Sequence, residues 1–436
     1  MTQQYGVIGL GRSGLATVRY LLRQGITPVV FDTRENPALA EQLPAQVSLL
    51  KGELERFEAE LMVLDTLVVA PGLSVRSELF ARLRLAGKAI IGDVELFASL
   101  CDAPVIGITG SNGKTTVTTL VGKMAQAAGI NVGVGGNIGT PVLELLEHDA
   151  KLYVLELSSF QLETTDSLQL VGATVLNVTS DHMNRYRDLA DYRDAKRRIY
   201  RHCQMCLVNA DDLATMPENA NEQNIKQFSL NKPADYWVCE DNGQYWLMAG
   251  QSKLIACSEL KMSGRHNWAN ALCAIALGDA AGIDRSAMLE VLRTFGGLTH
   301  RCEFIAQFQG IDYINDSKAT NIGATIAALQ GFEHDAGQTW LIAGGDGKGA
   351  DFSELAPWLA KTAGVAIFGQ DADKIAQVYP LSHRVKDLPE AIDYLTAQAK
   401  PGDRILLSPA CASWDMYPGF AARGDHFREL VEGLCS

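Results

Sequence analysis

The stretch "TGSNGKTT" sets Gly110, Ser111, Asn112, Gly113, Lys114, Thr115 and Thr116 in a row between the apolar run "VIGITG" and a helical pattern. The backbone N–H groups of such a loop can wrap phosphate oxygens. Lys114 can reach the β- and γ-phosphates of ATP, and a threonine hydroxyl can ligate Mg²⁺. The common GxxxxGK[ST] spacing is not met, because Ile108 stands where its first glycine would fall, so the loop is a shorter GxxGKT variant. The helix expected after it carries Val117, Leu120, Val121 and Met124 on one face and ends at Gly129.

A second glycine loop lies near the N-terminus. Gly9, Gly11 and Gly14 form GxGxxG after the strand pattern "YGVI", with Arg12 and Ser13 inside the loop and "LATVRYLLRQG" as its helix. Asp32 ends the next strand pattern roughly twenty residues on, where a ribose-binding acid would sit. The loop fits a nucleotide or diphosphate, or a tight turn alone, and does not say which nucleotide.

Three other groups stand out. Glu156 in "VLELSS" and the pair Asp181 and His182 in "NVTSDHMN" leave the ends of apolar strand patterns, where open α/β sheets place ligands. His182 reads as a metal or phosphate ligand, with a structural histidine as the alternative. Lys196 falls in the middle of an apolar stripe of Leu189, Tyr192, Ile199, Tyr200 and Cys203 at helical spacing. Either it snorkels, or it is desolvated and biased toward the neutral amine. Cys203 and Cys206 form a lone CxxC with no second pair at zinc spacing, which fits a packed helix better than a metal site.

These groups need a scaffold. At 436 residues the chain is too long for one core and implies about three domains. Strand and helix patterns alternate over residues 1–92 and restart at "APVIGITG" for residues 93–297. They restart again with "DYINDS", "TWLIAGG", "GVAIFG" and "DRILLSP" in residues 298–436. The expected fold class is α/β: a Rossmann-like N-terminal domain, a P-loop-type central ATPase domain whose parallel sheet carries a smaller antiparallel part over 225–262, and a Rossmann-like C-terminal domain. The net charge of −13 disfavours nucleic acid and anionic membranes as partners. No apolar run reaches the ~18 residues of a membrane span. A strand pattern starting almost at the N-terminus leaves no room for a signal peptide, and nine scattered cysteines fit reduced thiols, so a cytoplasmic monomer is expected.

Through "GSNGKTT", "ELSSFQLE", "DHMNRYRDLADYRDAK", "HNWAN", "THRCE", "NDSKATN", "GGDGKGAD" and "SPACASWD" the chain resembles the Mur ligases of peptidoglycan synthesis along nearly its whole length. The resemblance implies that Glu156 and Thr115 hold one Mg²⁺, that His182 lies at a second, and that CO₂ carbamylates Lys196 into a carboxylate-like metal ligand. It further implies that Arg301 and Asp316 contact ATP and that Asn267 approaches the adenine. In the first domain, Gly11, Arg12, Ser13, Asp32, Thr33, Arg34 and Gly72 would hold a UDP-sugar, with Asn137 of "GGNIGTP" orienting its carboxylate. Asn184 and Trp414 depart from the family pattern.

Where many relatives carry an Asp-Tyr-containing motif, this chain has "NDSKATN". Lys318, Thr320, Lys348 and Ser413 offer cations and hydroxyls suited to an amino acid with two carboxylates, with Trp414 beside them and Phe420 against its methylenes. The expected reaction is ATP-dependent addition of D-glutamate to UDP-N-acetylmuramoyl-L-alanine through an acyl phosphate. The rivals are a ligase of the same fold with another amino acid or a folate acceptor, a nicotinamide oxidoreductase, and a nucleotide switch without catalysis.

Overall fold

The computed structural model describes residues 3–435 except 184, 221–223, 263 and 334–336. Three separate sheets follow one another along the chain. The first contains Tyr5–Ile8 (β1), Val29–Asp32 (β2), Leu49–Lys51 (β3), Thr66–Val69 (β4) and Ala89–Ile91 (β5), all parallel in the order β3-β2-β1-β4-β5. Its strands are short and almost wholly apolar, as strands covered on both faces must be. The loops after β1, β2 and β4 therefore open on the same edge, and those after β1 and β4 flank the point where the strand order reverses.

The second sheet contains Val105–Thr109 (β6), Val132–Gly136 (β7), Leu152–Glu156 (β8), Gly172–Val175 (β9), Cys206–Asn209 (β10), Ile225–Ser229 (β11), Tyr236–Asp241 (β12), Gln244–Ala249 (β13) and Ser252–Ala256 (β14). Its order is β14-β13-β12-β11-β10-β9-β6-β8-β7. The antiparallel part is smaller than the sequence suggests: β11 extends the parallel ladder, and only the β12–β13 and β13–β14 pairs run antiparallel. The helix Lys114–Ala127 buries Val117, Leu120, Val121 and Met124 completely, against the helices Arg265–Ala280 and Arg285–Thr294.

The CxxC segment is no helix. Cys203 forms a bridge with Leu170 and Cys206 opens β10, because the buried apolar run Cys206–Val208 beside β9 gains more from the ladder than from a helix. The helix before it, Leu189–Arg197, leaves Leu189 42% exposed, so the apolar stripe begins one turn later than its spacing implies.

The third sheet is mixed: Glu303–Phe308 (β15), Ile311–Asn315 (β16), Thr339–Gly344 (β17), Gly364–Phe368 (β18), His383–Arg384 (β19) and Arg404–Leu407 (β20), in the order β15-β16-β20-β17-β18-β19. Only the edge pair β15–β16 is antiparallel. Among the described residues no helix is long and apolar enough to cross a membrane.

Candidate functional site

The loop between β6 and the helix Lys114–Ala127 gathers most of the reactive side chains. Lys114 folds back so that its Nζ donates to the carbonyls of Gly110 (2.8 Å) and Ser111 (3.0 Å). Lys196, almost fully buried, donates from Nζ to the same Gly110 carbonyl at 2.9 Å and lies 4.3 Å from the centre of the Tyr192 ring. Burial lowers the pKa of both amines. For Lys196, burial and then the neighbouring Lys114 hold it well below the usual lysine range.

Glu156 ends β8, its side chain buried beside the loop. Its Oε1 accepts from Asn137 Nδ2 at 2.8 Å, while the Asn137 N–H donates to the Glu156 carbonyl at 2.8 Å. The other oxygen, Oε2, is buried with no hydrogen-bond partner. An orphaned carboxylate oxygen there fits a cation, since leaving it unpaired costs about 1–3 kcal/mol or more. Among the described residues no three His, Cys, Asp or Glu side chains gather as a metal set. A divalent ion would thus draw on Glu156 Oε2, the Thr115 hydroxyl and donors beyond the unmodified acidic side chains. His182 stands nearby with Nε2 3.7 Å from Asp181 Oδ2 and its ring 5.0 Å from that of Phe160. Burial lowers its pKa, with Asp181 opposing, which leaves a ring nitrogen free to ligate.

The third domain closes over this loop. Arg301 donates from Nη2 to Thr115 Oγ1 at 2.6 Å, and Lys348 donates from Nζ to Asp181 Oδ1 at 2.8 Å. Between the second and third domains lies a cavity of about 590 Å³ lined by Asn112, Gly113, Asn267, Arg301, Asp316 and Lys318 among others. Its size and its mixture of apolar wall and convergent polar groups suit a nucleotide. Asp316 is pushed up to about 7 by burial, although the Ser408 hydroxyl and the Cys302 N–H both donate to it. Lys318 is lowered to about 8 by burial and then by Arg301 and Lys114, and its Nζ sits 4.0 Å from the centre of the Phe420 ring. His182 (φ 58°), His300 (φ 63°), Cys302 (φ 46°) and Lys348 (φ 54°) all adopt the left-handed region around this cleft, where backbone strain concentrates in functional sites.

Thr320 donates its N–H to the Lys318 carbonyl at 2.8 Å. Ser413 is buried with an unpartnered hydroxyl. Trp414 is 70% exposed, so it does not build a packed pocket wall. Asn184 lies outside the described residues.

On the first sheet, a Cβ at Gly14 would stand 2.0 Å from the Gly9 carbonyl oxygen, so only glycine lets the helix Arg12–Arg23 close on β1. Asp32 is not the ribose-facing acid of its position. It is buried, and its oxygens accept from the Leu10 N–H (2.7 Å) and from Arg34 Nε and Nη2 (2.8 and 2.7 Å). The carboxylate braces the loop, and the group it presents outward is the half-exposed Arg34 guanidinium. Gly11, Ser13 and Thr33 border the same edge. The Gly72 and Leu73 carbonyls accept from Arg185 at 3.5 and 3.1 Å. Arg12 reaches away from its own domain and donates from Nη2 to the Gly139 carbonyl at 2.7 Å. That contact links the first loop to the segment of Asn137, and through Asn137 to Glu156.

Three polar residues of the site have no part in the sequence reading: Asn177, Thr179 and Asn321. Asn177 Oδ1 accepts the Asn112 N–H (2.8 Å), the Thr179 carbonyl accepts from the Ser111 hydroxyl (3.0 Å), and Asn321 reaches both Asn112 and Asp181. Their signal was available in the polar run "NVTSDH" after β9 and in the last letter of "NDSKATN".

Comparison with known proteins covers nearly the whole chain. The family model described as Mur ligase MurD-like, N-terminal domain matches residues 3–92, that of the Mur ligase middle domain residues 108–278, and that of the Mur ligase glutamate ligase domain residues 300–411. A UDP-N-acetylmuramoylalanine--D-glutamate ligase of Marinobacter nauticus is 49% identical, with 98% of both chains covered. The protein of the same name from Escherichia coli is 47% identical, again with 98% of each chain covered. Among solved structures, a pseudomurein peptide ligase type C from Methanothermus fervidus superposes with a TM-score of 0.64 at 18% identity, covering 99% of this chain and 100% of that one. MurF from Acinetobacter baumannii gives 0.64 at 19% identity over 99% and 91%. At such identities these two structures share the fold alone.

Proposed function

The chain belongs to the Mur ligase family, and from that premise we propose that it joins D-glutamate to UDP-N-acetylmuramoyl-L-alanine at the expense of ATP, as a cytoplasmic monomer in peptidoglycan synthesis. One observation carries the reading. Arg12 of the first glycine loop donates to the Gly139 carbonyl at 2.7 Å, and Asn137, two residues before Gly139, donates to Glu156 at 2.8 Å, at the end of the strand that pairs with the one leading into the second loop. A substrate whose diphosphate sits on the first loop would extend along that line and bring its far end to the γ-phosphate on the second.

In water the acceptor carboxylate is inert toward amines, so it must first be activated. Its oxygen attacks the γ-phosphorus, the bond to the ADP oxygen breaks, and an acyl phosphate forms. The D-glutamate amine then adds to the acyl carbon, the carbon–oxygen bond to phosphate breaks, and a proton leaves the new amide nitrogen. Lys114, freed from its carbonyls by the phosphates, screens the approach of two anions, and Asn137 orients the acceptor. Arg301 and Asp316 hold the nucleotide from the third domain, with Asn267 at the base. Lys318, Thr320, Lys348 and Ser413 take the two carboxylates of D-glutamate, and Phe420 packs on its methylenes. Domain closure keeps the acyl phosphate from water.

Lys196, desolvated and facing a second amine, is biased toward the neutral form that can add CO₂, forming an N–C bond and releasing a proton. Glu156 and Thr115 would hold one Mg²⁺ and His182 would lie at a second, with the carbamate as a further carboxylate-like ligand. When bound, the metal neutralises charge on the transferring phosphoryl group.

The test is phosphate release with ATP, Mg²⁺, the UDP-sugar and a panel of D- and L-amino acids. Turnover that needs both the UDP-sugar and D-glutamate is expected. Turnover with a different amino acid, or a nicotinamide absorbance change in place of phosphate release, overturns the reading.

A further inference from the structure

Two residues of the third domain have no role in the reaction above yet stand where that domain meets the phosphate loop. Asn321 caps the helix Ile322–Phe332, its Oδ1 accepting the Ala324 N–H at 2.9 Å. Its Nδ2 points the other way, toward Asn112 Oδ1 (3.3 Å) and Asp181 Oδ2 (3.4 Å). The same Asp181 receives Lys348, so two donors from the third domain converge on one carboxylate of the second.

Gly323 lies two residues further along. A Cβ built there would stand 2.7 Å from Thr179 Oγ1, 3.0 Å from its Cβ and 3.1 Å from its Cγ2. Thr179 cannot swing aside freely, because it is branched at Cβ and its Oγ1 accepts from Asn112 Nδ2 at 3.4 Å. Glycine favours a helix less than alanine does, so its presence in the first turn fits a close contact that a side chain would block. Here the contact is the approach of the other domain.

We propose that Asn321 and Gly323 are positioning residues that seat the third domain on the Thr179–Asp181 segment and so hold Lys318 and Lys348 over the phosphate loop. Gly323 is the notch that admits Thr179, and the Asn321 amide ties the helix start to both the loop and Asp181. The proposal rests on the ligase reading for the identity of the amino acid, but the seating itself is a property of the fold.

Gly323→Ala and Asn321→Ser separate seating from folding. Alanine favours the helix and wedges the domains apart by one methyl, while serine keeps a capping oxygen and removes the amide donor. Solution X-ray scattering of the full chain with a non-hydrolysable ATP analogue and Mg²⁺ is expected to show a larger radius of gyration in both variants than in wild type. Thermal unfolding midpoints are expected to stay level, or to rise for Gly323→Ala. The KM for D-glutamate is expected to rise about tenfold, in the range of typical inter-site coupling. Variants as compact as wild type, with an unchanged D-glutamate KM, overturn the proposal. A wild-type chain inactive toward D-glutamate overturns the ligase reading instead, and the scattering comparison then decides the seating alone.

Discussion

Lys114 and Lys196 aim their side-chain nitrogens at one acceptor, the Gly110 carbonyl oxygen, at 2.8 and 2.9 Å. Two ammonium groups so close together disfavour each other, and the more deeply buried of the two, Lys196, is the one whose neutral form is favoured more strongly. The arrangement distinguishes two lysines that look alike in sequence, and under the ligase reading Lys114 would serve the phosphates while Lys196 would add CO₂.

Lys196→Ala is expected to abolish ligation, with activity partly restored by added short carboxylic acids that occupy the vacated volume. Lys196→Arg, always charged, is expected to be inactive and beyond rescue. Carbon-13 NMR of wild type in labelled bicarbonate should show a carbamate signal absent from both variants; a wild-type spectrum without it refutes the modification.

Glu156→Gln removes the unpartnered buried oxygen as a charge, and is expected to cost about a hundredfold or more in kcat, as loss of a transition-state electrostatic contact does. Asn137→Ala leaves the carboxylate in place and releases its other oxygen. Its main expected effect is a raised KM for the UDP-sugar. Steady-state kinetics as a function of Mg²⁺ distinguishes the two.

The pH dependence follows from Lys318, lowered to about 8 by burial. The protonated amine binds a carboxylate, so binding raises its pKa. The contribution is present in full below about 8 and is lost as pH rises through that value. kcat/KM for D-glutamate is therefore expected to fall about tenfold per pH unit above 8, since each unit removes that fraction of the cation. Lys318→Arg, if it retains turnover, is expected to flatten this limb.

Asp32→Asn tests the brace of the first loop. Burial alone would raise the pKa of this carboxyl, but Arg34 and the Leu10 N–H hold it below the usual range. The variant is expected to lose about 1 kcal/mol of stability and to raise the KM for the UDP-sugar about tenfold, with the ATP KM unchanged. Calorimetry and substrate titrations check both. A selective loss of ATP binding would contradict the assignment of the two loops.

Much of the scaffold was readable from short-range pattern. Apolar runs of four or five residues ending in glycine or a polar residue became β1, β2, β4, β6, β8 and β9, and the face of Val117, Leu120, Val121 and Met124 is the buried face of its helix. The strands passed over are those whose pattern is weak, such as the three-residue β3, or β7 with three glycines in five positions. The CxxC segment misled because a short, mostly apolar run fits a helix turn as well as a ladder. Lys196 was legible because its apolar neighbours recur at helical spacing, even though Leu189 proved exposed.

What the amino-acid order determined by itself is local chemistry: which loops can cradle an anion, which lysine is set among apolar neighbours, and which turns only glycine permits. Each depends on residues within a turn or two of one another. The tertiary structure alone decided the partnerships between distant segments: Arg301 with Thr115 across 186 positions, Arg12 with Gly139 across 127, Asn321 with Asp181 across 140. It also decided that Asp32 turns inward to its own loop. Such pairings depend on how three sheets are oriented relative to one another, which is governed by burial over whole domain faces and leaves no periodic trace near either partner.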